Sequence, residues 1–266
     1  MSESPRPAAT VVVLRDSPRG PEIFMVKRSG KSGFMPHAHV FPGGRVDPED
    51  GSTQVMGGPS DHDRMALSPE LARAYQVCAV RETFEEANIL LAQGEPVAEE
   101  RRALNARETT FGAAARRQGW VVDTSRLVYW SWWITPRQER RRYDTRFFVA
   151  GVDGDQAPQA AHDDKETVDS AWWTASETLA RFQAGHIFLA PPTFITLGEL
   201  REHATVDAVL AAGRVREPVA IEPSVGTEPD GSLAIVMPGD PDHPDPDPIP
   251  GLPLRLVMSE GRWIRR

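Results

Sequence analysis

Residues 68–88 carry both ends of a helix in their side chains. Ser68 is placed to cap the N-terminus. Pro69 sits at the first helical position, where a missing N–H costs nothing, and Glu70 meets the positive end of the helix dipole. Asn88 follows as a residue that tolerates a left-handed C-cap. At about 100° per residue, Val77, Val80, Phe84 and Ala87 share one stripe, and Glu82, Glu85 and Glu86 fall within about 100° of one another on the opposite side. Arg73 interrupts the stripe one turn earlier, so it is clean only over the last three turns. Any fold for this chain must bury that stripe and still give three crowded carboxylates an aqueous or cationic partner.

The elements around this helix are short and mixed. Residues 10–14 and 23–26 are β-rich runs separated by the turn residues 16–20. A loop over 30–36 leads to a short strand at 39–41 that ends in Pro42-Gly43-Gly44, and polar residues 51–67 read as loop. Beyond the helix, strands are predicted at 127–134, 145–152 and 168–173, a helix opens near Ser176, and another runs from about 193 to 203. Strands and helices alternate without a strict βαβ rhythm, which predicts an α+β fold with helices packed on a mixed β-sheet.

Composition changes near residue 216. Ten of the 24 prolines lie between Pro218 and Pro253. The stretch 239–250 cannot form regular helix, because proline lacks an N–H and clashes with the preceding turn. It reads as an extended acidic linker whose Asp and His residues are also potential cation ligands. We therefore divide the chain into a domain over 1–215 and a Pro/Asp-rich C-terminal extension over 216–266. The extension carries two short strands, 233–237 and 254–258, suited to a hairpin or to a homodimer contact.

Charge and cysteine content narrow the function classes. The net charge is -8 and the pI about 5.4, which argues against a duplex nucleic-acid binder but not against a small phosphorylated ligand held by local cations or metal. No apolar run approaches the ~20 residues of a membrane span, and the first residues lack the pattern of a secretory signal. The single Cys78 excludes an internal disulfide and a multi-cysteine zinc site, and fits a reducing cytoplasm. High Arg, Ala and Pro usage with little Lys suggests a bacterial genome rich in GC.

The Glu82, Glu85 and Glu86 carboxylates repel one another, and a hard divalent cation such as Mg²⁺ or Mn²⁺ relieves that repulsion. Arg81 is spaced to pair with Glu85. The preceding glycine turn lets backbone approach a ligand closely and offers it a carbonyl.

Gly43-Gly44 with Asp47 and Asp50, followed by Arg81-Glu82-Thr83-Phe84-Glu85-Glu86-Ala87-Asn88-Ile89, resembles the Nudix box: Gly, five residues, Glu, seven residues, then Arg-Glu-apolar-x-Glu-Glu-x-Gly-apolar. Gly44 fits the first position, Asp50 stands where the family has Glu, and Asn88 replaces the last Gly. Thirty residues (51–80) stand in place of seven, an insertion of about 23 centred on 51–67. Segments 34–44, 79–87 and 142–148 resemble the Nudix subgroup related to the mammalian peroxisomal "Nudix motif 19" coenzyme A diphosphatase, over roughly residues 8–205.

The resemblance implies a Nudix fold, a mixed sheet between helices. It also implies metal-dependent hydrolysis of a nucleoside diphosphate linked to another moiety. It assigns the metal to Glu82, Glu85, Glu86 and the Gly44 carbonyl, with Asp47 and Asp50 in support. Glu82 is the water activator within the motif, and Arg81 is a positioning residue. A late acid before the last sheet strand is a second general base: Glu166, or Asp163 or Asp164 in the same loop. On the substrate side, Arg28 and Arg142 are the phosphate contacts, and Trp130, Trp132 or Trp133 could stack on adenine. The upstream coenzyme A signature is kept in spacing from Arg28-Ser29 to Phe41, but Gly33 replaces its second Arg and His37 its Gly. Coenzyme A or an acyl derivative is the first expectation. ADP-ribose, NADH and a non-catalytic nucleotide-binding module are the alternatives.

Overall fold

The computed structural model describes residues 4–30, 35–56, 61–152 and 157–266. The chain opens with β1 (Arg6–Arg15), β2 (Glu22–Arg28), β3 (His39–Val40), β4 (Gly43–Arg45) and β5 (Val55–Met56). The long helix α1 (Pro69–Ala87) follows, then β6 (Ala92–Gln93), α2 (Ala98–Asn105), α3 (Phe111–Gln118) and β7 (Val121–Asp123). Next come β8 (Val128–Ile134), β9 (Tyr143–Gly151), β10 (Thr167–Thr174), α4 (Ala175–Gln183), α5 (Pro191–Leu200) and α6 (Val206–Val215). The chain closes with β11 (Ala220–Ile221), β12 (Ser224–Thr227), β13 (Leu233–Val236), β14 (Arg255–Ser259) and β15 (Arg262–Arg265).

The main sheet has the order β10-β2-β1-β9-β8-β11, with β3 added to β2 and β4 to β1. It is mixed: β1 runs parallel to β9 and β8 parallel to β11, whereas the other pairs are antiparallel. The centre of β1 reads Val-Val-Val-Leu because both of its faces are covered. Val11 and Val13 meet α1 on one side, in a core that also holds Val77, Val80 and Phe84. Val12 and Leu14 point the other way, toward Phe182 of α4, Phe194 of α5 and Val209 of α6. The sheet thus lies between helices, as the sequence predicts.

The caps of α1 form as expected. The Ser68 hydroxyl accepts from Leu71 N at 3.3 Å, and Asn88 takes φ 57° with its N–H on Phe84 O. The predicted helix near Ser176 begins at Ala175 on a capping box between Thr174 and Glu177. Three helices go unpredicted. α2 is mostly charged and has Val97 at its N-cap, while α3 and α6 each contain a glycine. The expected loop over 51–67 holds a 3-10 turn at Asp50–Ser52 and strand β5, with residues 57–60 outside the described part.

Beyond residue 216 the two predicted strands appear as β13 and β14, flanked by β12 and β15 in a four-stranded antiparallel sheet, while β11 joins the main sheet. β12 and β15 escape prediction because they are short edge strands with few apolar residues. Ile235, Met237, Leu256 and Trp263 enter the second core, and Trp263 Nε1 donates to Leu189 O at 2.9 Å. The acidic stretch is largely exposed, as expected of a solvated linker, but it is anchored at one end. Asp240 is buried and paired with Arg255, which also reaches Asp242 and Glu228.

Candidate active site

Strand β4 slides between β1 and the last turns of α1, and only glycine fits there. A Cβ at Gly43 would lie 2.5 Å from Ala9 O, and one at Gly44 would overlap the Glu82 carboxylate. The tight passage lets Gly43 N donate to Glu86 Oε2 at 3.0 Å and brings Gly44 against the side chains of α1. The sequence pattern Phe-Pro-Gly-Gly followed by a carboxylate helix therefore becomes one structural unit.

Arg81 organises the acids around it. Its guanidinium donates twice to Asp50, at 3.0 Å each, and once to Arg45 O at 2.8 Å. The remaining nitrogen faces Glu82 at 2.7 Å and Glu85 at 3.5 Å. Asp50, at the position where the Nudix pattern has Glu, is thus bound by Arg81, and Asp47 stands 3.8 Å away. Burial alone would disfavour the Arg81 charge, but Glu82 and Asp50 hold it firmly protonated. Arg81 positions the acids and is no base.

The carboxylates are short of positive charge. Burial pushes the Glu82 and Glu86 carboxyls up, with the neighbouring acids Glu166 and Glu82 adding to it, although Arg81 and the Gly43 N–H act in the other direction. Burial and the Glu82 charge push Glu85 up to about 7. The expected open acidic face is in fact enclosed: Glu86 is buried, and the side chains of Glu82 and Glu85 are only 13% and 20% exposed.

These groups line a cavity of about 660 Å³. That volume falls within the usual range of ligand pockets. Gly44, Asp47, Glu166 and Arg28 line it as well, so residues scattered between positions 28 and 166 converge. Glu166 sits in a loop built on Asp163, whose carboxylate accepts from the backbone N–H groups of Lys165, Glu166 and Thr167. Those donors, with the Thr167 hydroxyl, outweigh burial and hold Asp163 below the usual carboxylate range. Asp163 therefore shapes the loop, and Ser29 N donating to Glu166 O at 2.9 Å fixes it to β2.

One wall goes unread in the sequence. The end of α2 and the start of α3 contribute Asn105, Arg107, Thr110 and Gly112, and Lys165 closes the corner. Asn105 Nδ2 donates to Glu85 O at 3.4 Å, and Arg101 donates to the Phe84 and Glu85 carbonyls, so α2 grips the end of α1. The only available signal is Thr110 as an N-cap before a run of small residues.

Other expected contacts lie elsewhere. Arg142 does not line the cavity. It donates to Thr135 O and pairs with Glu222 at 2.5 Å, tying the β8–β9 turn to the C-terminal extension, and Arg137 pairs with the same Glu222. None of the three tryptophans of β8 reaches the site. Trp130 is buried with its N–H on Glu199, Trp132 lies under Arg146 and donates to Asp144, and Trp133 is buried in the second core. Gly33 lies outside the described residues.

The donor set fits a hard divalent cation. Three enclosed carboxylates, Glu86 buried and Glu82 and Glu85 partly so, oppose one another, and the glycine cradle would be filled by any Cβ. Among the described residues no three such side chains stand at ligating positions together, because Arg81 lies between Glu82 and Glu85 while Glu86 turns to Gly43.

Residues 59–200 match the family described as the NUDT19 Nudix domain. The chain is 32% identical to the acyl-coenzyme A diphosphatase NUDT19 of Gallus gallus over 93% of this chain and 80% of that protein. It is 30% identical to the Homo sapiens protein of the same name over 76% of this chain and 66% of that one. A solved NUDIX hydrolase from Alicyclobacillus acidocaldarius superposes with a TM-score of 0.66 at 26% identity, covering 79% of this chain and 97% of that one. With the glycine turn, the Arg81 hub and the three glutamates in one cavity, these matches make the chain a member of the Nudix hydrolase family, in its NUDT19 branch.

Proposed function

We propose that the chain hydrolyses the diphosphate of coenzyme A or an acyl-coenzyme A, releasing adenosine 3′,5′-bisphosphate and a phosphopantetheine. The observation that carries this reading is the single cavity joining Glu82, Glu85, Glu86, Gly44, Glu166 and Arg28. The names of the chicken and human relatives supply the substrate class.

In this reading Glu82, Glu85, Glu86 and the Gly44 carbonyl would hold Mg²⁺ or Mn²⁺, which would supply charge to offset the phosphate and would lower the pKa of the attacking water. Glu166 or Glu82 takes the proton of that water on a carboxylate oxygen. Arg81 keeps the acids in place, and Arg28 meets a phosphate oxygen. Arg142, with Glu222 as its partner, serves the scaffold of the extension. Among the described residues no helix is long and apolar enough to cross a membrane. We assign the protein to the cytoplasm on its single buried thiol, Cys78. We read residues 1–215 as the catalytic unit and 216–266 as the extension, with homodimer assembly through the extension, which sedimentation velocity checks.

The test is product analysis with coenzyme A, acetyl-coenzyme A, ADP-ribose, NADH and dinucleoside polyphosphates, with Mg²⁺ or Mn²⁺ against EDTA. Metal-dependent release of adenosine 3′,5′-bisphosphate supports the reading. Cleavage of ADP-ribose or NADH alone replaces the substrate and keeps the chemistry. Nucleotide binding without any cleavage replaces the enzyme with a binding module.

A further inference from the structure

Most of the arginines in this acidic chain have acidic partners. Among the described residues Arg107 and Lys165 make no ion pair, although the Arg107 charge is felt at the Glu85 carboxyl. Among those residues the Arg107 guanidinium makes no hydrogen bond, and Lys165 Nζ donates only to Asn105 O, at 3.2 Å. Both line the cavity, and both are exposed on its rim. They are held as neighbours: Arg107 follows Asn105 by two residues, and Asn105 is the residue that Lys165 reaches. Arg107 has φ 57°, the left-handed region that an L side chain enters at a cost, with its N–H on Leu104 O at 2.8 Å. A glycine would meet that backbone demand more easily, yet an arginine stands there.

The two cations flank the carboxylates on the α2 side, where Arg107 draws the Glu85 carboxyl downward, whereas Arg28 acts on Glu86 from β2. A diphosphate diester carries two negative charges, which a bound cation and Arg28 answer. Besides Arg28 and Arg81 three cations line the cavity: Arg45 on β4, and Arg107 and Lys165, which meet at Asn105 on the α2 side and offer their charge there to a further anionic group. An arginine fork beside a lysine point charge suits a phosphate monoester, with its three terminal oxygens and up to two charges. Because both cations keep contact with solvent, neither pays a large desolvation cost while it waits for a ligand.

We propose that Arg107 and Lys165 form a second anion subsite, for a phosphate monoester on the ribose of the substrate, separate from the diphosphate that is cut. The inference rests on the coenzyme A reading, since coenzyme A bears such a 3′-phosphate and ADP-ribose and NADH do not. It assigns the discrimination among these substrates to a wall that lies outside the Nudix box.

Calorimetry with two metal-free probes, adenosine 3′,5′-bisphosphate and adenosine 5′-monophosphate, tests it without any turnover. The wild type is expected to prefer the bisphosphate by about tenfold or more. The ratio falls in Arg107→Gln, approaches one in Arg107→Gln/Lys165→Gln, and is partly kept in Arg107→Lys. No preference in the wild type, a preference that survives the double substitution, or an equal loss for both nucleotides overturns the subsite. Coenzyme A hydrolysis by the wild type is scored separately. Hydrolysis with no nucleotide preference refutes the subsite alone, and a substitution-sensitive preference with no hydrolysis upholds the subsite and refutes the coenzyme A reading.

Discussion

Two acidic clusters in this molecule use the same side chains to opposite effect. On α1, Glu82, Glu85 and Asp50 share one arginine, Arg81, while Glu86 beside them has the Gly43 N–H, and burial drives every one of the four carboxyls up. In the extension, Arg255 reaches Asp240, Asp242 and Glu228 at 2.5–2.6 Å, and Arg266 adds a second cation at Glu228. There the Arg255 hydrogen bonds pull Asp240 below the usual carboxylate range, and Asp242 is 72% exposed. Acid count does not separate the two. The first has more buried negative charge than its donors can answer, and that surplus is what a metal or a catalytic proton can use.

Substitutions that remove the surplus should have the largest effect. Glu85→Gln or Glu86→Gln is expected to lower kcat/KM by about 10³-fold, on the order of 4 kcal/mol in the barrier. The unfolding midpoint should hold or rise, because like-charge repulsion is relieved. A fall in stability that accounts for the lost activity would erase the contrast. Gly44→Ala pushes a Cβ into the Glu82 carboxylate. It should cost about 10²-fold in turnover, on the order of 3 kcal/mol, and weaken Mn²⁺ binding measured by calorimetry.

The balanced cluster should respond in the reverse way. Arg255→Met leaves the side chain of Asp240, 6% exposed, without its main partner. A loss of about 3 kcal/mol in denaturant unfolding is expected, with turnover per folded molecule unchanged. A turnover defect there would mean that the extension communicates with the cavity.

A pH series has the smallest expected effect. Burial, with Lys27 and Arg181 nearby, lowers the His39 imidazole to about 4 in the folded chain, so the unfolded chain takes up the proton first. Its contribution is complete above the unfolded pKa of 6.5 and is lost as pH falls toward 4, by about 2 kcal/mol at pH 5. Asp240, already below its ordinary 3.8, gives way only at lower pH. Glu85, raised to about 7, acts over the same range with the opposite sign, so the first limb is read as the difference between the His39→Asn and parent profiles, and the Asp240 limb should be the same in both.

What the sequence made legible was local. Ser68, Pro69 and Asn88 bound α1 through interactions within a few residues, and the spacing of its glutamates needs only helical geometry. The β4 glycines were legible through the company they keep. The wall from α2 and α3 was not, because α2 has no side-chain cap and joins the site through Asn105 and Arg101 to backbone carbonyls, which any sequence provides. Arg142 misled for the converse reason. A cationic cluster looks like a phosphate site until the chain brings Glu222 to it from 80 residues away. The tryptophans of β8 alternate along a strand whose two faces are both covered, so their rings were spent on cores before a base could use them.

The parallel pairing of β1 with β9 bears on how this chain acquired its length. Register from Arg6↔Tyr143 to Leu14↔Gly151 closes one long loop that holds β2, the helix with its glutamates and the α2–α3 wall. Closing a loop costs in proportion to the logarithm of its length. An insertion of about 23 residues ahead of Arg81 lengthens this one by about a fifth, for only about 0.2 kcal/mol. Ancestral sequences could therefore try new segments between Asp50 and the helix at almost no thermodynamic penalty, provided Asp50 could still reach Arg81. A sheet that ties the ends of this loop together far from the inserted segment makes length there thermodynamically cheap.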